Sequence, residues 1–232
     1  MAEEVWQLFN QDLPLAIASK KSFGLDDLDR KLFNSITPEQ KIIVELGAYD
    51  GVTQSNSLLF ERNGYRCLLI EPSPLALQKL VLNRPISILE NLACCSFDGP
   101  FEIEIEDLGL MTMSSYSQLN DSEIEEWRER AKQFINFEPY FYKQTAVPLA
   151  TLLEKHSLPG IGLLSLDVEG FELQILKGID FGKFRIEFIC LEVMKANRHN
   201  ELEVTKLLET YGYKGSTVND RQYTKDILYS LE

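Results

Sequence analysis

Histidine is scarce in this chain. His156 and His199 are the only two in 232 residues, which removes every histidine-rich metal centre. The four cysteines, Cys67, Cys94, Cys95 and Cys190, sit in apolar, strand-like runs without C-x-x-C spacing. A disulfide framework or structural zinc site has nothing to build on, so they read as buried free thiols. Long apolar runs are missing too: GIGLLSLDV and FICLEVM end well before the roughly 18 residues of a membrane helix. The opening MAEEVWQLFNQDLP carries acids where a secretory signal carries bases, so a soluble, cytoplasmic protein is expected. Basic residues are outnumbered, with 23 Lys and Arg against 36 Asp and Glu and a net charge of −13. Nucleic acid and anionic membrane surfaces are therefore repelled at long range. No repeat, low-complexity tract or Gly/Pro/Ser linker divides the chain. What remains, 44% hydrophobic and 25% charged, is the composition of an ordinary globular domain.

From Lys41 the chain alternates between short apolar runs and helical patterns. KIIVELG suits a strand covered on both faces, and TQSNSLLFERNG reads as a helix begun near Thr53 and ended by Gly64. CLLIE and PLALQKLVLNR repeat the unit. A third strand runs through ISILENLACC until Asp98, Gly99 and Pro100 break it. After the helix ATLLEKHS come the strand IGLLSLDV, the helix FELQILKG opened by Gly170, the strand IEFICLEV and the helix ELEVTKLLETYG. That last helix gathers Leu202, Leu207 and Leu208 on one side and stops at Gly212. YKGSTVNDRQYTKDILYSL reads as an antiparallel hairpin. The alternation predicts an α/β fold, a Rossmann-like doubly wound parallel sheet with its ligand crevice beyond the carboxyl ends of the strands.

Two stretches stand outside the alternation. Residues 1–36 form an amphipathic helical segment expected to pack on the main domain, residues 37–232. Within that domain an insertion covers about 100–145. It holds FEIEIE, read as an edge strand, the polar loop MTMSSYSQLND, and a helix with the stripe Ile124, Trp127, Ala131, Phe134 and Ile135. Phe137, Tyr140, Phe141 and Tyr142 close the insertion, either packing it down or covering the crevice.

The turn Glu45-Leu46-Gly47-Ala48-Tyr49-Asp50-Gly51 carries the strongest chemical signal. Its glycines allow a ligand close to the backbone, yet it lacks G-x-G-x-x-G, and the carboxylates of Glu45 and Asp50 oppose a phosphate. They suit the ammonium and sulfonium groups of S-adenosylmethionine. Glu71, about 20 residues further on at the end of the second strand, is placed to accept both hydroxyls of an adenosine ribose. In SLDVEGFE, alternation sends Asp167 and Glu169 to one side of an extended chain. Capping the next helix, holding magnesium, or a functional role for Asp167 are the readings there. LEVMKANRHNE adds Glu192, Lys195, Asn197, Arg198 and His199 on the same rim. His199 is suited to take a proton from an alcohol, or is a surface histidine without a role.

IVELGAYDGVTQSN, LLIEPSP, Asn91-Leu92-Ala93 and LLSLDVEGFELQILKG, in this order and spacing, resemble the FkbM-type methyltransferases, a branch of the class I S-adenosylmethionine-dependent enzymes. The resemblance covers roughly residues 40–215. It implies a seven-stranded sheet with an antiparallel last strand, and O-methylation of a small-molecule or carbohydrate-type acceptor such as a sugar, polysaccharide or secondary metabolite. It further implies that Glu45, Gly47, Tyr49, Asp50 and Gly51 hold the methionine part and Glu71 the ribose. Asn91 and Leu92 would meet the adenine edge, and Asp167 would face methyl transfer. Asp167 or His199 would take the proton, and no metal is needed in principle. Three rivals stand beside this reading. A nicotinamide-dependent oxidoreductase lacks its third glycine here. A binding module would keep the cofactor pocket without turnover. A metal-assisted variant would use Asp167, Glu169 and Glu192.

Overall fold

The computed structural model describes residues 21–109, 112–114, 122, 124–125, 128–129, 139–195 and 197–232. Residues 1–20 of the N-terminal segment, Trp127, Ala131, Phe134 and Ile135 of the expected insertion helix, and Phe137 lie outside them. Strands β1 (Ile42–Leu46), β2 (Arg66–Ile70), β3 (Ile88–Glu90), β8 (Gly160–Leu166), β9 (Arg185–Met194), β10 (Tyr213–Asp220) and β11 (Thr224–Leu231) form one sheet. Its order is β10-β11-β9-β8-β1-β2-β3. β11 pairs antiparallel with both β10 and β9, so the one reversed strand lies inside the sheet rather than at its edge. The pairs among β9, β8, β1, β2 and β3 are parallel.

The central strands are apolar along their length because both faces are covered. Val44, Leu46, Leu68, Ile70, Leu164 and Leu166 belong to one core cluster, and Ile43, Cys67, Leu69, Leu163 and Cys190 to another, as strand alternation requires. Helices α4 (Leu149–Lys155), α5 (Glu172–Leu176) and α6 (Arg198–Thr210) cover the first face, supplying Leu152, Leu173 and Val204. Helices α1 (Leu28–Ser35), α2 (Leu58–Glu61) and α3 (Pro74–Asn83) cover the second with Leu32, Phe60 and Leu80. All four cysteines are free and buried. Among the described residues no helix is long and apolar enough to cross a membrane.

Three boundaries differ from expectation. The helix expected from Thr53 starts only at Leu58, because residues 50–57 make a turn around the Asp50 and Glu45 carboxylates. The third strand is two strands: β3 ends at Glu90, and β4 (Ala93–Cys95) leaves for a second sheet of order β4-β7-β5-β6. FEIEIE lies in β5 (Glu102–Asp107), which is no edge: it sits between β6 (Thr112–Ser114) and β7 (Tyr140–Pro148). The described part of the insertion is thus largely sheet, and it stands over the carboxyl ends of β1, β2 and β8.

Candidate active site

Gly47 follows β1 at φ +80°, and a Cβ there would stand 2.0 Å from the Asp167 carbonyl oxygen. Only glycine lets the ends of β1 and β8 close this tightly, the Asp167 N–H donating to the Leu46 carbonyl at 3.2 Å. Tyr49 takes φ 46° and Gly51 φ 77°, so the backbone turns sharply here. The Asp50 carboxylate holds the turn from inside, accepting from the N–H groups of Val52 at 2.9 Å and Thr53 at 2.7 Å.

Glu45 points to the other face of the sheet and is buried. Its carboxylate accepts from the Asn56 N–H at 2.6 Å and from the hydroxyls of Ser55 and Ser57. Burial raises its pKa, and the charge of Arg84 works against that rise. Sequence reasoning missed Arg84, which is 0% exposed. Its guanidinium donates to Glu61 at 2.7 Å, to the Gly51 carbonyl at 3.0 Å and to Ser57 at 3.0 Å. A basic residue closing an amphipathic helix normally faces water, so nothing in the local pattern singles this one out.

Glu71, at the tip of β2, accepts from the N–H groups of Tyr49 and Ser73, both at 2.7 Å. Burial, with the Asp107 carboxylate opposing ionisation, pushes its pKa up to about 7 against the pull of those two donors. The Asn91 amide donates to the carbonyls of Glu71 at 2.7 Å and Pro72 at 3.2 Å, which fixes the turn and ends β3. Leu92 is half-buried beside it.

Asp167 is the first residue beyond β8. Burial raises its pKa, and Glu192, Glu169, Asp226 and Glu172 add to the rise. Glu169 stands at φ 51° in a turn, so strand alternation does not reach it. Glu172 is buried, accepts from the Gly170 N–H at 2.9 Å and from Asn200, and titrates at about 7 because burial outweighs these bonds. The balancing cation is Arg221, at the tip of the β10–β11 hairpin and unremarked in the sequence. It pairs with Glu192 at 3.0 Å, Asp226 at 2.7 Å and Asp26 at 2.7 Å.

His199 is not drawn into this group. It is exposed on the first turn of α6, with Glu203 as a charged neighbour. Asn197 caps that helix, accepting from the Asn200 N–H at 3.1 Å, and Lys195 pairs with Asp220. The side chain of Arg198 lies outside the described residues. Among the described residues no three His, Cys, Asp or Glu side chains are grouped to hold a metal ion.

Two cavities meet at Asp167. A cleft lies between the main sheet and the small one, walled by Gly47, Ile70, Leu92, Ile105, Val168 and Phe171. On the far side of Asp167 lies a small pocket with Gln54, Asn56, Glu192 and Arg221 among the polar residues of its wall. The apolar cleft and the exposed Gly47 backbone, with Glu71 one residue before the cleft-lining Pro72, fit an adenosine-bearing cofactor.

The sequence profile of the methyltransferase FkbM domain matches residues 45–214. Among curated proteins none is similar enough in sequence to count as a relative. Solved structures of similar shape include a precorrin-6Y C5,15-methyltransferase from Geobacter metallireducens, at 10% identity and TM-score 0.44 over 93% of this chain and 95% of that one. A TehB-like methyltransferase from Corynebacterium glutamicum aligns at 9% identity and TM-score 0.45, over 100% of this chain and 98% of its own. Aeropyrum pernix fibrillarin, which holds S-adenosylmethionine, aligns at 12% identity and TM-score 0.43 over 83% of this chain and 67% of its own. With the profile covering most of the domain, from the end of β1 to the start of β10, the chain belongs to the FkbM methyltransferase family of S-adenosylmethionine-dependent enzymes.

Proposed function

We propose that the protein is an O-methyltransferase that methylates a hydroxyl of a small-molecule or carbohydrate-type acceptor. The observation that carries this reading is Asp167, a carboxyl of raised pKa shared by an apolar cleft and a polar cavity. The cleft takes the cofactor and the polar cavity receives the reacting end of the acceptor. The Asn56 side-chain oxygen, buried and without a hydrogen-bond partner among the described residues, supports an acceptor rich in hydroxyl donors.

Bound S-adenosylmethionine supplies a sulfonium methyl group. Glu71 holds the ribose hydroxyls, Asn91 and Leu92 frame the adenine edge, and the backbone of Gly47, Tyr49 and Gly51 receives the methionine part. Glu45 and Asp50 keep that turn in shape and lend it negative charge. Asp167 orients the acceptor hydroxyl and takes its proton, for which a raised pKa is an advantage. His199 is the second candidate base. Alignment of the two reactants in a closed site supplies much of the acceleration. The acid excess and four free thiols favour a cytoplasmic enzyme with no nucleic-acid partner.

Calorimetry with S-adenosylmethionine and S-adenosylhomocysteine tests the cofactor site, and turnover on sugars, alcohols, amines and thiols tests the acceptor. Methyl transfer to oxygen is expected, with Asp167→Asn lowering kcat about 10²-fold or more. His199→Ala is measured beside it. Failure to bind either nucleoside at millimolar concentration, or transfer to nitrogen or sulfur alone, overturns the reading.

A further inference from the structure

Strand β7 carries a buried hydroxyl that the described residues leave without a hydrogen-bond partner. In the antiparallel register of β5 and β7, Ile103 faces Gln144, Ile105 faces Tyr142 and Asp107 faces Tyr140. Residues directly opposite each other share a face, and Ile103 and Ile105 line the cofactor cleft. Gln144, Tyr142 and Tyr140 therefore point the same way, towards the cleft and the turn that carries Glu71.

The two outer members of this row are satisfied. Gln144 donates to the Pro72 carbonyl at 2.9 Å, and the Tyr140 hydroxyl donates to Asp107 at 2.9 Å. Asp107 in turn accepts from the Ser73 hydroxyl at 2.7 Å. The middle member, Tyr142, has a buried hydroxyl with no hydrogen-bond partner among the described residues. Its charged neighbours are Glu71 and Asp107, and they and burial push the phenol pKa up, so it stays a neutral donor. A buried hydroxyl left open costs free energy unless something arrives to meet it. Here it is held between two anchored neighbours, beside the carboxyl that accepts from the ribose in the function proposed above.

We propose that Tyr142 is a cofactor-binding residue whose hydroxyl donates to a ribose hydroxyl of the bound nucleoside, gripping from the small sheet the diol that Glu71 grips from the main sheet. The inference rests on the assignment of Glu71 to the ribose and adds a partner that the first-strand turn and second-strand acid do not supply. It makes the insertion part of the cofactor site. The phenol selects for a vicinal diol over a deoxyribose.

Titration calorimetry on the full chain tests it, with S-adenosylhomocysteine and its 2′,3′-dideoxy analogue as probes and Tyr142→Phe and Glu71→Gln as variants. Tyr142→Phe is expected to weaken S-adenosylhomocysteine about five- to tenfold, the size of one hydrogen bond. The same variant and the wild type are expected to bind the dideoxy analogue equally, because the hydroxyl then has nothing to meet. The ligand-free variant should melt no lower than wild type, since it loses no hydrogen bond among the described residues. Equal affinity of wild type and Tyr142→Phe for S-adenosylhomocysteine overturns the proposal, and so does an equal penalty on the dideoxy analogue. Glu71→Gln is the separate control: if it leaves affinity unchanged, the Glu71 assignment falls and the shared grip on the diol with it, whereas a loss with Glu71→Gln and none with Tyr142→Phe overturns the Tyr142 proposal alone. A wild type that binds neither probe overturns both.

Discussion

Glu71 and Glu172 show what burial does to a carboxyl that has hydrogen bonds but no adjacent cation. Both titrate at about 7, above their ordinary value of 4.5, because lost hydration outweighs the donors they keep. Glu45, Asp167 and Glu192 shift in the same direction. In each case the native state holds its proton more tightly than the unfolded chain does. Their contribution to stability is therefore full below the unfolded pKa and is lost as pH rises through the folded one. The thermal midpoint is expected to drop between about pH 5 and about pH 8, and Glu172→Gln is expected to flatten that slope. A midpoint that climbs over the same interval would contradict the assignment. Cofactor affinity should move the opposite way. A ribose diol donates to ionised Glu71, so S-adenosylhomocysteine is expected to bind more tightly as pH passes about 7. Calorimetry at several pH values checks this, and Glu71→Gln should remove the dependence.

At the scale of elements, the turn between β1 and α2 is held by a buried ionic network in place of a helix. Arg84 joins the end of α3 to Glu61 of α2, with side-chain exposures of 0% and 2%. Removing one partner strands the other charge in the interior, the costly half of a buried pair. Arg84→Met should lose about 3–5 kcal/mol in denaturant unfolding, and the double variant with Glu61→Leu should recover part of it. Full stability in the single variant would show that the pair is dispensable.

This network also marks where sequence reading stopped. The parallel strands were legible because IIVEL, CLLI and IGLLSL are apolar runs of strand length, and a run covered on both faces needs no further cue. The expected helix from Thr53 was not legible as a turn. Ser55, Asn56 and Ser57 fit a helix pattern, and only the Glu45 carboxylate, 10 residues away in the chain, bends them round itself. The split of the third strand hangs on Asn91 reaching back to Glu71, a bond that spans 20 residues. In the small sheet only FEIEIE was visible as an alternating run; Thr112–Ser114 read as a polar loop and Tyr140–Pro148 as closing aromatics, because pairings such as Glu102 with Thr145 span the whole insertion.

Over the whole molecule, Arg221 ties together parts that are far apart in the chain. One guanidinium bonds Asp26 and the Leu25 carbonyl near the start of the described residues, Glu192 on β9 and Asp226 on β11. Arg221→Ala leaves Asp226, 1% exposed, with Asn219 as its remaining donor. A loss of about 3 kcal/mol in stability is expected, with faster amide exchange at residues 22–28 than in the central strands. Uniform exchange rates across both regions would argue against a tie between them. The acids of the rim were visible in the sequence as a group, since each falls at a strand end. Arg221 was not, because its importance comes from the hairpin folding back over β9.

The reversed strand has a further consequence, for synthesis. β11 lies between β9 and β10 yet follows both in the chain. While the polypeptide is being made, the outer edge of β9 therefore has no neighbour until Leu231 has been added, and FICLEVM stays unpaired along that edge. At about 5–20 residues per second, the 37 residues from Met194 to Leu231 take the ribosome seconds to deliver. For those seconds an apolar strand edge stands open to pairing with another chain, a hazard that the last strand removes.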